Sequence, residues 1–318
     1  MYKNKFMLYL TLSVIILTVS CTKTEEPKEK SVRQIGKPLK IAVIPASESL
    51  PFLVATHYGI SDSLGLNLEV ETFGSSMDAD TAFQYHHVDA IMTDMVKAGI
   101  AESQGDSVSV VMSGDWNLSL VVSRQSRIAS VSGLKDRIIS ITRNSVVDMY
   151  LDKLLQDSKM ESTDVNKPQI NDLQIRYRML EQNQYDGAIL PDPWAGMCVF
   201  DGCKRISAID QVVGMEKMMC VMVHDSTIHT RSDDVRKLIK AYNKSVDYIN
   251  NHSWFKTQEF LRLLGIEKSY PFLVFGKRFR HAALPSEGVL STGKSWSSGR
   301  NLLGRSSKDS LLHTEYVH

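Results

Sequence analysis

The phrase DAIMTDMVKAG at 89–99 returns as DGAILPDPWAG at 186–196: an acid, a small residue, an apolar run, a second acid, then Ala-Gly. A second pair repeats at nearly the same offset, LKIAVIPASESLPFLVATHYGI from 39 and LKDRIISITRNSVVDMYLDKLLQ from 134, 95 residues apart against 97. In each phrase a short apolar run breaks at a polar turn and yields to apolar residues at helical spacing. Strand-turn-helix units of this kind cannot bury their apolar faces alone and must stack as a sheet covered by helices. Two echoes at one offset favour two similarly built lobes.

The intervening chain follows the same grammar. LNLEVETF at 66–73 alternates like a strand, GSSMDADTAFQYHH opens a helix, MVKAGIAES continues as a helix and VSVVMSGDW reads as a further strand. This β-α repetition implies parallel strands with helices on the sheet faces. KMMCVMVHDSTI at 217–228 is one more strand, and two helices are expected after it, SDDVRKLIKAYNKSVDYINNH and WFKTQEFLRLLGI. Crossings between lobes are placed near 118–123 and 219–225, so the chain starts in lobe one, builds lobe two and returns. With 318 residues, 43% of them hydrophobic, two cores of ordinary size can be filled.

The first twenty residues have another purpose. Lys3 and Lys5 precede an apolar stretch from Phe6 to Val19 that stops at Ser20-Cys21, the pattern of a secretory signal. Ser-Cys resembles the lipobox of bacterial lipoproteins, although Thr18 stands where a large aliphatic residue is usual; this implies a lipid on Cys21. Residues 21–38 are charged and punctuated by Pro27 and Pro38, which reads as a solvated tether. Loss of Lys3 and Lys5 turns the formal charge of +1 into −1, a balance that offers no footprint for nucleic acid. Cys198, Cys203 and Cys220 remain; a Cys198–Cys203 disulfide and buried free thiols are equally open readings.

The ordered set LPFLVATHYGISDSLGLNLEVETFGSSMDADTAFQYHHVDAIMTD, LSLVVS, GLKDRIISI, VVDMYLDKLL and DGAILPDPWAG resembles the solute-binding proteins of ABC importers, in particular the nitrate, sulfonate and thiamine-precursor class. The likeness spans roughly residues 39 to 290. It implies an α/β, two-lobed periplasmic-binding-protein fold of type II, each lobe a mixed β-sheet flanked by helices, with ligand held in the cleft between them. The expected organisation is a signal peptide at 1–20, a lipid-anchored tether at 21–38, lobe one at 39–120 plus 223–318, and lobe two at 121–222. The implied partners are a small solute, an ABC permease and its ATPase subunit, and the membrane through the anchor, with the protein a monomer in the cell envelope.

Open α/β sheets bind ligands at the carboxyl ends of their strands, where helix N-termini present free N–H groups. Each strand-to-helix turn therefore supplies candidates. Lobe one offers Ser47, Glu48 and Ser49, then Ser75 and Ser76 with Gly74 and Met77 beside them, then Thr93 and Asp94, and finally Trp116 beside Asp115. Lobe two offers Arg143, Asn144 and Ser145, then Asp192 and Trp194 around Pro193. The serines and Asn144 can donate to a polar head group, the tryptophans can cover a ring or apolar arm, and Arg143 can neutralise an anion. Asp94 and Asp192 serve equally as helix caps or as acceptors for a cationic ligand, so the ligand's charge is not signed by the sequence.

Several signals are declined. GVLSTGKS at 288–295 spells a phosphate-binding loop but follows no buried strand. His86 and His87 are adjacent, and successive helical positions diverge rather than share a metal. No nucleophile elbow or cysteine-rich cluster of the related thiamine-pyrimidine synthases is present, so no catalytic residue, metal or cofactor is expected. A surface sensor or adhesin, and an enzyme on the same fold, stand as rivals. The Ser/Gly-rich tail after 290 fits a helix poorly, with Trp296, Leu302 and Leu303 as docking residues.

Overall fold

The computed structural model describes residues 36–318 except 216, 271–277, 305–310 and 318. The expected signal, tether and Cys21 lie outside the described residues. The chain is α/β and contains two sheets. In the first, β1 (Leu39–Val43) is flanked by β2 (Leu68–Thr72) and β3 (Ala90–Asp94), then come β9 (Met219–His224) and β4 (Val108–Gly114), in the order β2-β1-β3-β9-β4. In the second, β6 (Ile139–Ser140), β7 (Gly187–Pro191), β5 (Leu118–Val122) and β8 (Lys204–Ala208) lie in the order β6-β7-β5-β8.

The β-α grammar gives parallel pairs where it operates without interruption: β1 with β2, β1 with β3, and β6 with β7. The exceptions are the strands that follow a crossing. β5 runs antiparallel to β7 and β8, and β9 antiparallel to β3 and β4. Both sheets are therefore mixed. The links between sheets are 115–117 and 209–218, so the expected lobe limits at 120/121 and 222/223 fall inside β5 and β9, a few residues late. Apolar periodicity locates a strand without saying to which sheet it pairs.

Helices α1 (Leu50–His57) and α2 (Ile60–Ser63) follow β1; α3 (Ser76–Gln84) follows β2 and α4 (Met95–Gln104) follows β3. In the second lobe α5 (Val146–Asp157), α6 (Leu173–Glu181) and α7 (Trp194–Phe200) play the same part. Each start has a local cause. Ser75, Asp94, Ser145 and Asp172 are extended residues whose side chains accept N–H groups of the first turn. Cys198 and Cys203 are paired across the end of α7, and Cys220 is a buried free thiol in β9.

Two expectations need correction. The two helices expected after β9 form one, α8 (Asp225–Leu263), because no Pro or Gly separates them; its non-helical residue is Arg231. The tail also forms a helix, α9 (Glu287–Gly299), which includes the residues that spell a phosphate-binding loop. Its small residues have a packing reason. α9 presses on α4 so tightly that a Cβ at Gly293 would meet the Met95 carbonyl oxygen at 3.0 Å, and one at Gly99 would meet Lys294 Cγ at 2.9 Å. Replacing Gly293 with Val should force these backbones apart and cost about 1–3 kcal/mol. Urea denaturation would read this as a lower midpoint at unchanged slope, and an unchanged midpoint would contradict the packing.

Candidate functional site

The carboxyl ends of β1, β3, β6 and β7 converge on one gap, where Ile44, Asp94, Thr142 and Pro191 line a small inner compartment of about 40 Å³. A larger outer compartment of about 620 Å³ adjoins it, sharing Ser76, Thr142 and Asn171, and extends between α3 and α4. Residues of both lobes line both spaces. The cleft exists because each helix begins where its strand ends, which turns the N-termini of α3, α4 and α5 toward it.

Of the expected residues, Ser76, Asp94, Trp116 and Ser145 line the inner compartment. Ser76, Arg143 and Asn144 line the outer one, with Met77. Ser75 caps α3, and Thr93 is buried in β3. Ser47, Glu48, Ser49, Asp192 and Trp194 line neither space. All but Ser49 form a buried seam between lobes: Ser47 N–H donates to the Asp192 carbonyl at 2.7 Å, and the Trp194 indole donates to the Pro45 carbonyl at 2.6 Å. Ser49 donates to the Ile44 carbonyl at 2.5 Å. These turns obey the same strand-to-helix grammar, but they lie beside the crossing link and are filled by the opposite lobe.

Trp116 is 7% exposed, and its indole N–H has no partner among the described residues. Asp94 caps α4, accepting from Val96 N–H at 3.0 Å and Lys97 N–H at 3.1 Å. Burial raises its pKa to about 6, against the pull of Lys97 and the Val146 N–H at the start of α5. Its carboxylate thus sits between the N-termini of two helices from opposite lobes. Lys97 is itself paired with Asp80.

Sequence reading missed Arg176. It is fully buried on α6 beside the inner compartment, donating from Nε to the Ile170 carbonyl at 2.8 Å, and from the guanidinium to the Ile189 carbonyl at 2.9 Å and the Thr142 hydroxyl at 2.5 Å. Burial lowers its pKa to about 10, leaving it charged at neutral pH. The signal was available: Leu173, Arg176, Tyr177 and Leu180 are the buried residues of α6, at the spacing of one helix face. His224 was also missed. It stacks on Phe83 with ring centroids 4.0 Å apart and stands 4.0 Å from His86, and all three line the outer compartment. Burial, then His86, lowers the His224 pKa.

Three sets of contacts tie the lobes outside the cleft. Asp201, at the end of α7, accepts from Tyr177, from Tyr270 at 2.5 Å and from Lys268 at 3.1 Å. The α9 residue Trp296 donates to Asp152 at 3.0 Å, and Arg300 donates to Asp148 at 3.1 Å and also to Asp152. Asp148 is 1% exposed, with Lys167 Nζ 3.5 Å away. At the seam Glu48 is buried: its Oε1 accepts from the Asn117 N–H at 2.7 Å, the Asn117 amide at 2.8 Å and the Ser47 hydroxyl at 3.0 Å, while Oε2 has no partner among the described residues.

The family model described as "NMT1/THI5 like" matches residues 46–253. No curated protein sequence matches. Among solved structures, the ligand-binding component of an ABC-type import system from Staphylococcus aureus, with zinc bound, superposes with a TM-score of 0.72 at 13% identity, covering 88% of this chain and 97% of that one. The alkanesulfonate-binding protein SsuA from Xanthomonas axonopodis pv. citri, bound to MOPS, gives 0.69 at 15% identity, covering 86% and 96%. The desulfurization enzyme DSZB gives 0.62 at 14% identity, covering 88% and 96%. These likenesses establish the periplasmic-binding-protein fold.

Two outcomes follow from the seam and the α9 contacts. Burial raises the Glu48 pKa from 4.5 to about 7, so the folded state holds this proton more tightly than the unfolded chain. Its contribution is therefore full below pH 4.5 and is lost as pH rises through 7. Melting temperature should fall across that window, and Glu48→Gln should flatten the fall; an unaltered slope in the variant would refute the assignment. Arg300→Met leaves buried Asp148 with Lys167 as its nearby cation and the Asn144 N–H as donor, and should cost about 1–3 kcal/mol in urea denaturation. Arg300→Lys should recover part of that loss.

Proposed function

The chain belongs to the NMT1/THI5-like family, and on that premise we propose that it is the substrate-binding component of an ABC importer. It captures a small solute in the cleft between its lobes and delivers it to a membrane permease with its ATPase subunit. Cys21 carries the lipid that holds it at the membrane, with residues 22–38 as tether and the folded part facing the periplasm or cell exterior.

The observation that carries this reading is the inner compartment. An unpartnered indole N–H and a buried guanidinium face a space closed by residues of both lobes. Such a site is complete only when the lobes meet, so ligand shifts the population toward the closed form. Ser76, Trp116, Ser145 and Asn171 act as donors or orienting groups, and Arg176 supplies fixed positive charge. Asp94 Oδ1 already accepts two N–H groups of α4, and the other polar groups of the inner compartment favour a head group that accepts hydrogen bonds, as a sulfonate does. Arg143 and Asn144 stand at the rim of the outer compartment.

The fold is shared with a desulfurization enzyme, so fold does not separate capture from catalysis. Capture is favoured by the character of the groups that meet in the inner compartment. They are donors, a fixed cation and the Asp94 carboxylate that caps α4, while the free thiol Cys220 is buried and held protonated by burial and by Asp94.

The test is a thermal-shift and calorimetric screen of the protein with Cys21 replaced by Ser, against sulfonates, nitrate and thiamine-pathway pyrimidines. A cognate solute at a hundred times its Kd should stabilise the fold by about 2.7 kcal/mol. It should also reduce the radius of gyration in solution scattering. Trp116→Phe should weaken binding roughly tenfold through the lost hydrogen bond. No shift with any solute would transfer weight to a sensor or adhesin, and conversion of a solute would transfer it to an enzyme.

A further inference from the structure

The first turn of α6 meets the opposite lobe across the cleft. The Leu173 N–H donates to the Gly74 carbonyl at 3.2 Å, and Asp172 forms a β-bridge with Ser75. Leu173 is the first residue of α6, where an N–H has no acceptor within its own helix, so the bond to Gly74 is what occupies it. The approach is close. A Cβ at Gly74 would stand 2.8 Å from Asp172 Oδ2, and that carboxylate is already held as the cap of α6 by the Ile175 N–H at 2.7 Å. Asn171, next to this contact, lines both compartments, as does Ser76 on the facing turn.

Arg176 ends the same turn of α6, and its hydrogen bonds go to three separate stretches of the second lobe. Nε donates to the Ile170 carbonyl at 2.8 Å, and Nη2 donates to the same oxygen. Nη1 donates to the Ile189 carbonyl in β7, and Nη2 also to the Thr142 hydroxyl just beyond β6. Ile170 in turn donates its N–H to the Ile141 carbonyl at 3.1 Å, so the chain leading into Asn171 is laid along the end of β6. A guanidinium has five N–H donors and no acceptor. Thr142 Oγ1 therefore accepts in its bond with Arg176, and its own hydrogen is left for another partner. Thr142 lines both compartments, and no acceptor for that hydrogen is found among the described residues.

We propose that Arg176 is a positioning residue for closure: it holds Thr142 and the 170–173 segment in one register, so that the head-group wall and the main-chain clasp from Leu173 to Gly74 form together. It acts on a solute through Thr142, whose hydroxyl it turns into a donor, and on the lobes through Ile170. Lysine would carry the charge without the planar fork that reaches three acceptors at once. The purpose of the clasp rests on the solute-capture reading, but the clasp itself is a property of the protein, so its test needs no solute.

The experiment is hydrogen exchange followed by NMR on the solute-free protein carrying Cys21→Ser, compared with Gly74→Val and Arg176→Lys in the same background, with melting temperatures measured alongside. In the parent protein the Leu173 amide should be protected although it opens a helix. In both variants it should exchange roughly tenfold faster, the loss of one hydrogen bond, while the Leu180 amide in the body of α6 keeps its rate. Coupling is reciprocal, so Gly74→Val, which leaves Arg176 and its acceptors in place, should also speed exchange of the Arg176 Nε–H. A Leu173 amide that exchanges freely in the parent protein overturns the clasp. An unchanged Nε–H rate in Gly74→Val, or an unchanged Leu173 rate in Arg176→Lys, overturns the positioning role, and the first of these is read even where Arg176→Lys does not fold. Each of these results leaves solute capture standing, since that reading fails only when the solute screen is silent.

Discussion

Strands β5 and β9 each enter a sheet antiparallel to their neighbours immediately after the chain has crossed between lobes. That reversal has a geometric result. The link 115–117 is three residues long, so β5 begins in the second sheet where β4 ends in the first. The carboxyl ends of β1, β3, β4, β6 and β7 are thereby turned to one gap. The helix N-termini, the two compartments and the seam between lobes all follow from it.

Within that gap, charge is managed by burial and by helix ends rather than by simple pairing. Arg176 is surrounded by carbonyl and hydroxyl acceptors, which satisfy its hydrogen bonds while leaving its positive field in place. Asp94 is set between two helix N-termini, which favour its charge while burial opposes it. Glu48, with one oxygen saturated and the other unpartnered, is held toward its neutral form. Three ionisable groups, two in the cleft and one in the seam, thus carry three different protonation tendencies, each set by its own surroundings.

The C-terminal helix adds a constraint that the β-α repeat lacks. α9 is seated on α4 through Gly99 and Gly293 and reaches the other lobe through Trp296 and Arg300. The Ser/Gly composition that made this segment look unlike a helix is what allows its backbone to approach α4 so closely. Leu302 joins the wall of the outer compartment, while Trp296 meets Asp152 on α5. The same short stretch therefore contributes to packing, to the contact between lobes and to the cleft.

The sequence by itself determined the elements and where each helix starts. Capping residues, β-branched runs and apolar spacing act over a few positions, so Ser76, Asp94, Trp116, Arg143, Asn144 and Ser145 were legible as cleft candidates, and all six line a compartment. Their neighbours in kind, Glu48, Asp192 and Trp194, obey the same local rules yet lie in the seam, because strand order decides which turns adjoin a crossing. Arg176 lies in a helix body, and His224 comes from a strand inserted 138 positions after His86. The free choice between a Cys198–Cys203 bond and buried thiols was likewise settled only by the approach of the two residues in space. Local sequence fixes dihedral preference and polarity over one or two turns, whereas contacts between residues a hundred positions apart depend on how the sheets are threaded, and only the tertiary structure supplies that.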